Sequence, residues 1–185
     1  MAVGLTRRTN DYLSLDERTE IANNEAADLF LSIHANSSPN RETRGIETYI
    51  LNFAESASAE AVAARENAST AQAMHILPEL VKTIATSNKV AESREFASMV
   101  QDSLMRRIGA LSRTIKNLGV KQAPFVVLIG ASMPSVLAEI SFVTNRQEAR
   151  LLKTAAYRQR IAESLLAGVV RYQEALKKVQ TAALQ

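Results

Sequence analysis

Short apolar segments recur along this chain between longer segments with helical periodicity. Residues 28–36 are apolar at alternate positions and carry further apolar side chains between them, which predicts a strand in the interior of a sheet. The segments 45–51 and 135–141 have the same short, apolar character, and 125–129 is apolar throughout. The pattern therefore predicts four strands, and no internal repeat is visible.

Local signals mark where helices begin. Ser14 and Glu17 have the spacing of a capping box, which predicts a short helix directly after Ser14. Residues 58–111 are rich in Ala, Glu, Lys and Arg, as helices are. Pro78 and the polar stretch 86–88 divide this region into two or three predicted helices.

Two of the predicted helices carry a continuous apolar face. Their apolar positions at helical spacing are Phe96, Val100, Leu104, Ile108 and Leu111 in one helix, and Ile161, Leu165, Val169 and Tyr172 in the helical region after Asn145. Helices with such faces pack against a sheet. Together the elements predict a three-layer α/β sandwich with a mixed, mostly parallel sheet, helices on both faces and a helical insertion.

The composition narrows the classes of function. The 185 residues, 46% of them hydrophobic, carry 22 Lys and Arg against 19 Asp and Glu, a net charge of +3 that is ordinary for one globular domain. Because cysteine is absent, disulfide scaffolds, thiolate zinc sites and cysteine nucleophiles are excluded. Scattered basic residues and the absence of Trp argue against a nucleic-acid partner. No apolar run approaches the ~20 residues of a transmembrane helix, and no signal peptide is recognised.

His34 and Glu139 are the residues most suited to chemistry, because each is the ionisable group near the end of a largely apolar strand. Together they suit metal-assisted hydrolysis, with the imidazole as a zinc ligand and the carboxylate as general base. The alternative is structural: a hydrogen-bonded core histidine, and a glutamate paired with Arg44 or Arg146. On spacing alone the structural interpretation is favoured.

The helical region offers weaker candidates. His75 is interpreted as a surface or partly buried helix residue rather than a metal ligand. The Ala- and Glu-rich stretch 59–67 is either a solvated helix face or a segment that serves as a lid or docking surface.

Beyond these patterns, the sequence resembles a known family, the zinc-dependent N-acetylmuramoyl-L-alanine amidases that trim bacterial cell walls. The resemblance spans almost the whole chain in the expected order. It is carried by the stretches 5–23, 27–36 with its Ser-Ile-His-Ala-Asn segment, 45–49, and 134–145 with its Pro-Ser-Val-Leu-Ala-Glu segment.

The resemblance implies that His34 is a zinc ligand and Glu139 the catalytic carboxylate. The family cleaves the amide between the lactyl group of N-acetylmuramic acid and L-alanine of the stem peptide. The implied substrate is therefore peptidoglycan, and the implied compartment is the periplasm or cell envelope.

A subset of the family, associated with cell division, carries a helical insertion that covers the zinc cleft. A glutamate of that insertion binds the metal, and an activator protein moves the helix away. Residues 54–90 resemble this insertion, which makes Glu66 and Glu60 the candidate autoinhibitory residues, with Glu66 preferred.

The sequence departs from the family at its start. Residues 1–185 resemble the catalytic domain without its N-terminal βα unit, which in the family supplies a first histidine and a glutamate ligand. Because a catalytic zinc normally has three protein ligands, the sequence predicts weak or absent zinc binding and little hydrolysis. The alternative function is a catalytically impaired module that binds the cell wall or the activator.

Overall fold

The computed structural model describes residues 1–68, 89–110 and 114–183. In chain order the helices and strands are α1 (Leu15–Asn24), β1 (Phe30–Asn36), β2 (Ile46–Leu51), α2 (Ala57–Asn67), α3 (Lys89–Leu104), β3 (Asn117–Ala123), β4 (Ser135–Phe142), α4 (Arg146–Leu152) and α5 (Ala155–Ala183). A π-helical segment, Met105–Gly109, extends α3, and a 3₁₀ turn, Val126–Leu128, lies between β3 and β4. The predicted α/β class is confirmed.

The four strands form one sheet with the order β1-β4-β2-β3. Strands β1 and β4 run in the same direction, because Phe30 N–H donates to the Pro134 carbonyl at 3.0 Å and Val143 N–H donates to the Asn36 carbonyl at 2.8 Å. The carboxyl ends of β1 and β4 therefore lie side by side.

Strands β2 and β3 are also parallel to each other. Ile46 N–H donates to the Lys116 carbonyl at 2.9 Å, and Asn52 N–H donates to the Ala123 carbonyl at 3.5 Å. From the first bond to the second, the residue number rises in both strands, as it does when two paired strands are parallel.

The prediction that the first strand is interior is wrong for the described part of the chain, where β1 is the edge strand. The side chain of Ile33 is 53% exposed. Apolar residues on both faces predict a strand that is buried on both faces, but one face of β1 is only partly covered. The sequence pattern alone does not distinguish such an edge strand from an interior strand.

The predicted strand at 125–129 is also wrong. This segment contains the 3₁₀ turn Val126–Leu128, and the neighbouring strand β3 was not predicted. Pro124 has no N–H to donate to a sheet ladder, so the strand ends before it. The apolar run is nevertheless buried from Phe125 to Leu128, which shows that it signals burial rather than strand structure.

The chain divides into two compact units, and the division falls within each of the four strands. The first comprises Met1–Ser32, Tyr49–Ser93 and Lys121–Leu137, and the second comprises Ile33–Thr48, Arg94–Val120 and Ala138–Gln185. The core of the first unit contains the apolar turn after β3, with the Tyr49 and Phe125 rings 4.8 Å apart between centroids. Thr19 Oγ1 of α1 donates to the Val127 carbonyl at 2.7 Å.

The core of the second unit contains the predicted apolar faces of α3 and α5. Phe96, Val100, Leu104 and Ile108 are fully buried, and the ring of Phe96 lies 5.2 Å from that of Tyr172. These faces are confirmed apart from Leu111, which lies outside the described residues. Within the described ranges, no helix combines the length and apolar character needed to cross a membrane.

Candidate metal centre

His34 and Glu139 lie on β1 and β4, two neighbouring parallel strands. Glu139 is fully buried and His34 is partly buried. Within the second unit, His34 and Glu139 each offer a ligand atom, and these two atoms lie within 4.8 Å of each other. The two residues singled out from the strand pattern are therefore close enough to share one ion.

The end of β1 is held by the buried Asn36, two residues beyond His34. Its Oδ1 accepts from Ser37 N–H at 2.7 Å, and its Nδ2 donates to Glu47 Oε1 at 2.7 Å. Glu47 itself is buried in β2. Buried polar groups that are paired in this way fix a backbone in one position, because breaking the pair would leave a buried polar group without a hydrogen bond, which is unfavourable.

The end of β4 is held by a second buried carboxylate, Glu148 of α4. Its Oε1 accepts from Gly45 N–H at 2.8 Å, and its Oε2 accepts from Phe142 N–H at 2.6 Å. One carboxylate thus joins the start of β2 to the end of β4, which places these two strands in opposite directions and makes the sheet mixed. Burial raises the pKa of Glu148, while the two N–H donors and the charge of Arg44 oppose that shift.

The loop after β1 is tied to the turn after β4. Ser38 N–H donates to Thr144 Oγ1 at 3.0 Å, and Asn145 Nδ2 donates to the Arg41 carbonyl at 3.0 Å. Asn145 also caps α4, as its position before that helix predicts. The backbone just beyond His34 is therefore connected to the backbone just beyond Glu139.

Helix α2 carries both glutamates considered for an autoinhibitory role. Glu66 is partly buried in its last turn, whereas Glu60 is exposed in its first turn. The helix begins at a Ser56 cap and ends at the buried Asn67. His75 lies outside the described residues.

The donors of this pair fit zinc, since an imidazole and a carboxylate are ligand types that this ion takes in proteins. Sequence reasoning selected His34, Glu66 and Glu139, but it missed the supporting residues Asn36 and Glu148. The only local signal near Glu148 was the helix start at Asn145.

A histidine and a carboxylate on neighbouring strands of an α/β sheet are typical of a metallohydrolase. Comparison with known sequences gives the family: the family described as Amidase_3, N-acetylmuramoyl-L-alanine amidase, matches residues 1–171. The chain therefore belongs to the N-acetylmuramoyl-L-alanine amidase family.

Individual relatives agree with this assignment. The chain is 35% identical over 177 residues to the N-acetylmuramoyl-L-alanine amidase AmiA of Escherichia coli K12, covering 91% of this chain and 60% of that protein. It is 32% identical over 168 residues to the amidase LytC of Bacillus subtilis, covering 91% of this chain and 26% of LytC. The chain thus spans less than two thirds of either relative.

Solved structures are also similar. The catalytic domain of the amidase CwlV from Bacillus (Paenibacillus) polymyxa var. colistinus gives a TM-score of 0.65 at 25% identity, covering 94% of this chain and 73% of that chain. The amidase AmiC2 of Nostoc punctiforme gives 0.63 at 27% identity, covering 92% and 72%.

Proposed function

We propose that this chain is a zinc-dependent peptidoglycan amidase domain. Its reaction is hydrolysis of the amide between the lactyl group of N-acetylmuramic acid and L-alanine of the stem peptide. The observation that carries the proposal is the pair of His34 and Glu139, whose ligand atoms lie within 4.8 Å of each other in a chain that belongs to the amidase family.

His34 is a zinc ligand of the active state in this proposal. An imidazole on β1 is suited to this because β1 is fixed beyond it by the Asn36 contacts. When bound, zinc supplies Lewis acidity at the scissile carbonyl and lowers the pKa of a water molecule to about 7.

Glu139 is the general base and then the general acid. Its carboxylate accepts a proton from the attacking water as the new carbon–oxygen bond forms at the lactyl carbonyl. It returns that proton to the alanine nitrogen as the carbon–nitrogen bond breaks, so the products are a lactyl carboxylic acid and a free amine. Positioned proton transfer of this kind contributes about 10²–10⁴-fold in rate.

Glu66 has a regulatory role in the proposal. The resemblance to the family makes it an additional carboxylate ligand that keeps substrate away, while Glu60 stays in solvent. Residues 54–90 then form a regulatory insertion, and α2 lies within it. An activator protein that moves α2 is the implied partner, and the cell envelope, where peptidoglycan lies, is the implied compartment.

Purified peptidoglycan tests the reaction. Because Glu66 blocks the substrate in this proposal, the Glu66→Gln variant loaded with zinc is expected to release stem peptides with a free L-alanine amine, detected by mass spectrometry. The other site variants are made in this background. Glu139→Gln should lose at least about 100-fold in rate while it still binds zinc, and His34→Ala should lose zinc affinity. Glu60→Gln is the matched control and should behave as the unaltered chain.

Two results would overturn this proposal. Release at an unchanged rate by Glu139→Gln would remove the carboxylate from the mechanism. Peptidoglycan binding without cleavage, unaffected by zinc, would favour the binding module instead of the enzyme.

A further inference from the structure

Positive charge is concentrated in the loop after β1 and in the segment that follows β4, both of which belong to the second unit. Residues 37–45 and 143–153 contain five basic and two acidic residues, a net charge of +3 that equals the net charge of the whole chain. The two segments touch, because Asn145 Nδ2 donates to the Arg41 carbonyl at 3.0 Å across 104 residues of sequence. The fold therefore gathers basic residues that are scattered in the sequence.

The two acidic residues leave most of this charge on the surface. Glu148 is buried, and its oxygens accept two backbone N–H groups. The charge of Arg44, which is partly buried, lowers the pKa of Glu148, so these two charges already face each other. Glu42 is the exposed acid of the two segments. The other basic residues are all exposed: Arg41, Arg146, Arg150 and Lys153.

The position of Arg146 is unfavourable for the helix that carries it. Arg146 is the first residue of α4, where the positive end of the helix dipole disfavours a cation. It also precedes Arg150 by four residues, a spacing at which like charges on a helix repel. Within the described ranges, neither Arg41 nor Arg146 forms an ion pair with a carboxylate. A ligand with negative charge accounts for these two cations, whereas helix stability does not.

The loop that carries Arg41 is held in one conformation by its own hydrogen bonds. Ser38 Oγ donates to Thr43 Oγ1 at 3.1 Å and accepts from Asn40 N–H at 3.2 Å. Asn40 accepts from Glu42 N–H at 2.9 Å through Oδ1 and from Thr43 N–H at 3.0 Å through its carbonyl. A loop that is ordered before a ligand arrives loses little conformational entropy on binding.

This basic surface begins where the strands of the catalytic pair end. His34 is two residues before the end of β1 at Asn36, and Glu139 is three residues before the end of β4 at Phe142. A strand advances about 3.3 Å per residue, so its ends lie about 7 and 10 Å beyond the two residues. An extended peptide covers a similar distance in two or three residues. A peptide bound at the pair therefore reaches this surface with residues close to the scissile amide.

We propose that Arg41 and Arg146 form a basic rim that binds free carboxylates of the stem peptide. The inference rests on the proposed function, in which peptidoglycan is the substrate, and it adds which part of that substrate the second unit recognises. Stem peptides carry carboxylates in addition to their amide bonds. A guanidinium binds a carboxylate through two parallel hydrogen bonds, so arginine is well suited to this recognition.

Binding of a fluorescent disaccharide-peptide fragment of peptidoglycan tests the rim with little turnover. The zinc-loaded variant Glu66→Gln with Glu139→Gln is the starting protein, and fluorescence anisotropy gives its Kd. Adding Arg41→Gln and Arg146→Gln together should raise this Kd about tenfold, since each exposed ion pair contributes modestly. The dependence of the Kd on salt concentration should also become weaker.

Two controls make the test specific. A fragment whose carboxylates have been converted to amides should bind the two proteins with Kd values within about twofold of each other, because it offers the rim no charge. Arg94→Gln, at an exposed arginine of α3, should leave the Kd of the unmodified fragment unchanged.

Steady-state kinetics provide an independent readout. In the Glu66→Gln variant, Arg41→Gln with Arg146→Gln should raise KM about tenfold and leave kcat within about twofold. This split is expected because the rim contacts the peptide and does not contact the reacting atoms.

The outcomes separate the rim from the proposed function. Absence of binding, an unchanged Kd, or an equal loss for the carboxylate and amide fragments would overturn the rim. Loss of binding to a phosphate-bearing wall polymer with unchanged binding of the fragment would also overturn it, and would assign this surface to that polymer. Binding that depends on the rim, without hydrolysis by the Glu66→Gln variant, would overturn the proposed reaction and leave the rim in place.

Discussion

The substitution Glu148→Gln probes the contact that joins the ends of β2 and β4. Glu148 is buried and accepts the Gly45 N–H at 2.8 Å and the Phe142 N–H at 2.6 Å, one with each carboxylate oxygen. Glutamine has nearly the same shape but only one acceptor oxygen. One of the two backbone N–H groups must then face the NH₂ group of the new side chain.

The expected magnitude combines one hydrogen bond that is removed with one buried N–H that is left without an acceptor. A hydrogen bond to a charged group contributes about 1.5–3 kcal/mol, and a buried donor left unsatisfied costs about 1–3 kcal/mol. Removing a buried carboxylate offsets part of this cost, because its desolvation is relieved. We therefore expect Glu148→Gln to lower the free energy of unfolding by about 2 kcal/mol near neutral pH.

The pH dependence has a definite sign. Burial raises the pKa of Glu148 above its ordinary value of 4.5, so the folded protein holds this proton more tightly than the unfolded chain. The extra stability that the more tightly held proton gives the folded protein is complete below pH 4.5. It declines as the pH rises through the raised pKa of Glu148 in the folded state. Glutamine does not titrate, so the stability difference between the two proteins should narrow as pH rises across this window.

Urea denaturation at several pH values measures both effects. Gln147→Ala, at the exposed neighbouring position, is the control and should change the free energy of unfolding by less than about 0.5 kcal/mol. A difference that widens with rising pH would refute the assigned sign. A change within about 0.5 kcal/mol for Glu148→Gln would refute the role of this carboxylate in joining the strands.

Three further substitutions test the packing and the helix start. Ser14→Ala removes the hydroxyl that accepts Glu17 N–H at 3.3 Å and should cost about 1 kcal/mol in urea denaturation. The Ser14 N–H lowers the pKa of Glu17. The contribution of Glu17 to stability is therefore present above pH 4.5 and is lost as the pH falls through the lowered pKa. Measuring the free energy of unfolding at several acidic pH values checks this sign. Phe96→Ala empties a fully buried position and should cost about 3–5 kcal/mol by the same assay. Gly168→Ala should lower the melting temperature despite its gain in helix propensity, because the added Cβ would lie 2.8 Å from Val100 Cα; a higher melting temperature would contradict this.

The helix starts could be predicted from the sequence because capping is local. Ser14 and Glu17 are three residues apart and form the expected capping box, and Asn145 caps the helix directly after it. The strand at β4 was also predictable, since its apolar residues are continuous and buried. The short run after Pro124 was misassigned because an apolar run reports burial and does not by itself distinguish a strand from a buried turn.

The supporting contacts of the candidate site could not be predicted. Glu148 and its partner Gly45 are 103 residues apart, and Ser38 and its partner Thr144 are 106 residues apart. No local pattern encodes such pairs, because they depend on how the folded elements meet. His34 and Glu139 could be selected from the sequence, because each interrupts an apolar strand and because the segments around them resemble the amidase family. Their catalytic roles remain a prediction.

Hydrolysis in ¹⁸O-labelled water tests the proposed amidase reaction, because it identifies both the bond that is broken and the atom that is attacked. With the Glu66→Gln variant, zinc and a purified disaccharide-peptide fragment of peptidoglycan, we expect label in the lactyl carboxylic acid and an unlabelled peptide with a free L-alanine amine. Adding Glu139→Gln to that variant should lower the rate at least about 100-fold. Label at the reducing end of the sugar or in a peptide carboxyl group would show that a different bond is cleaved and that the proposed amidase reaction is wrong.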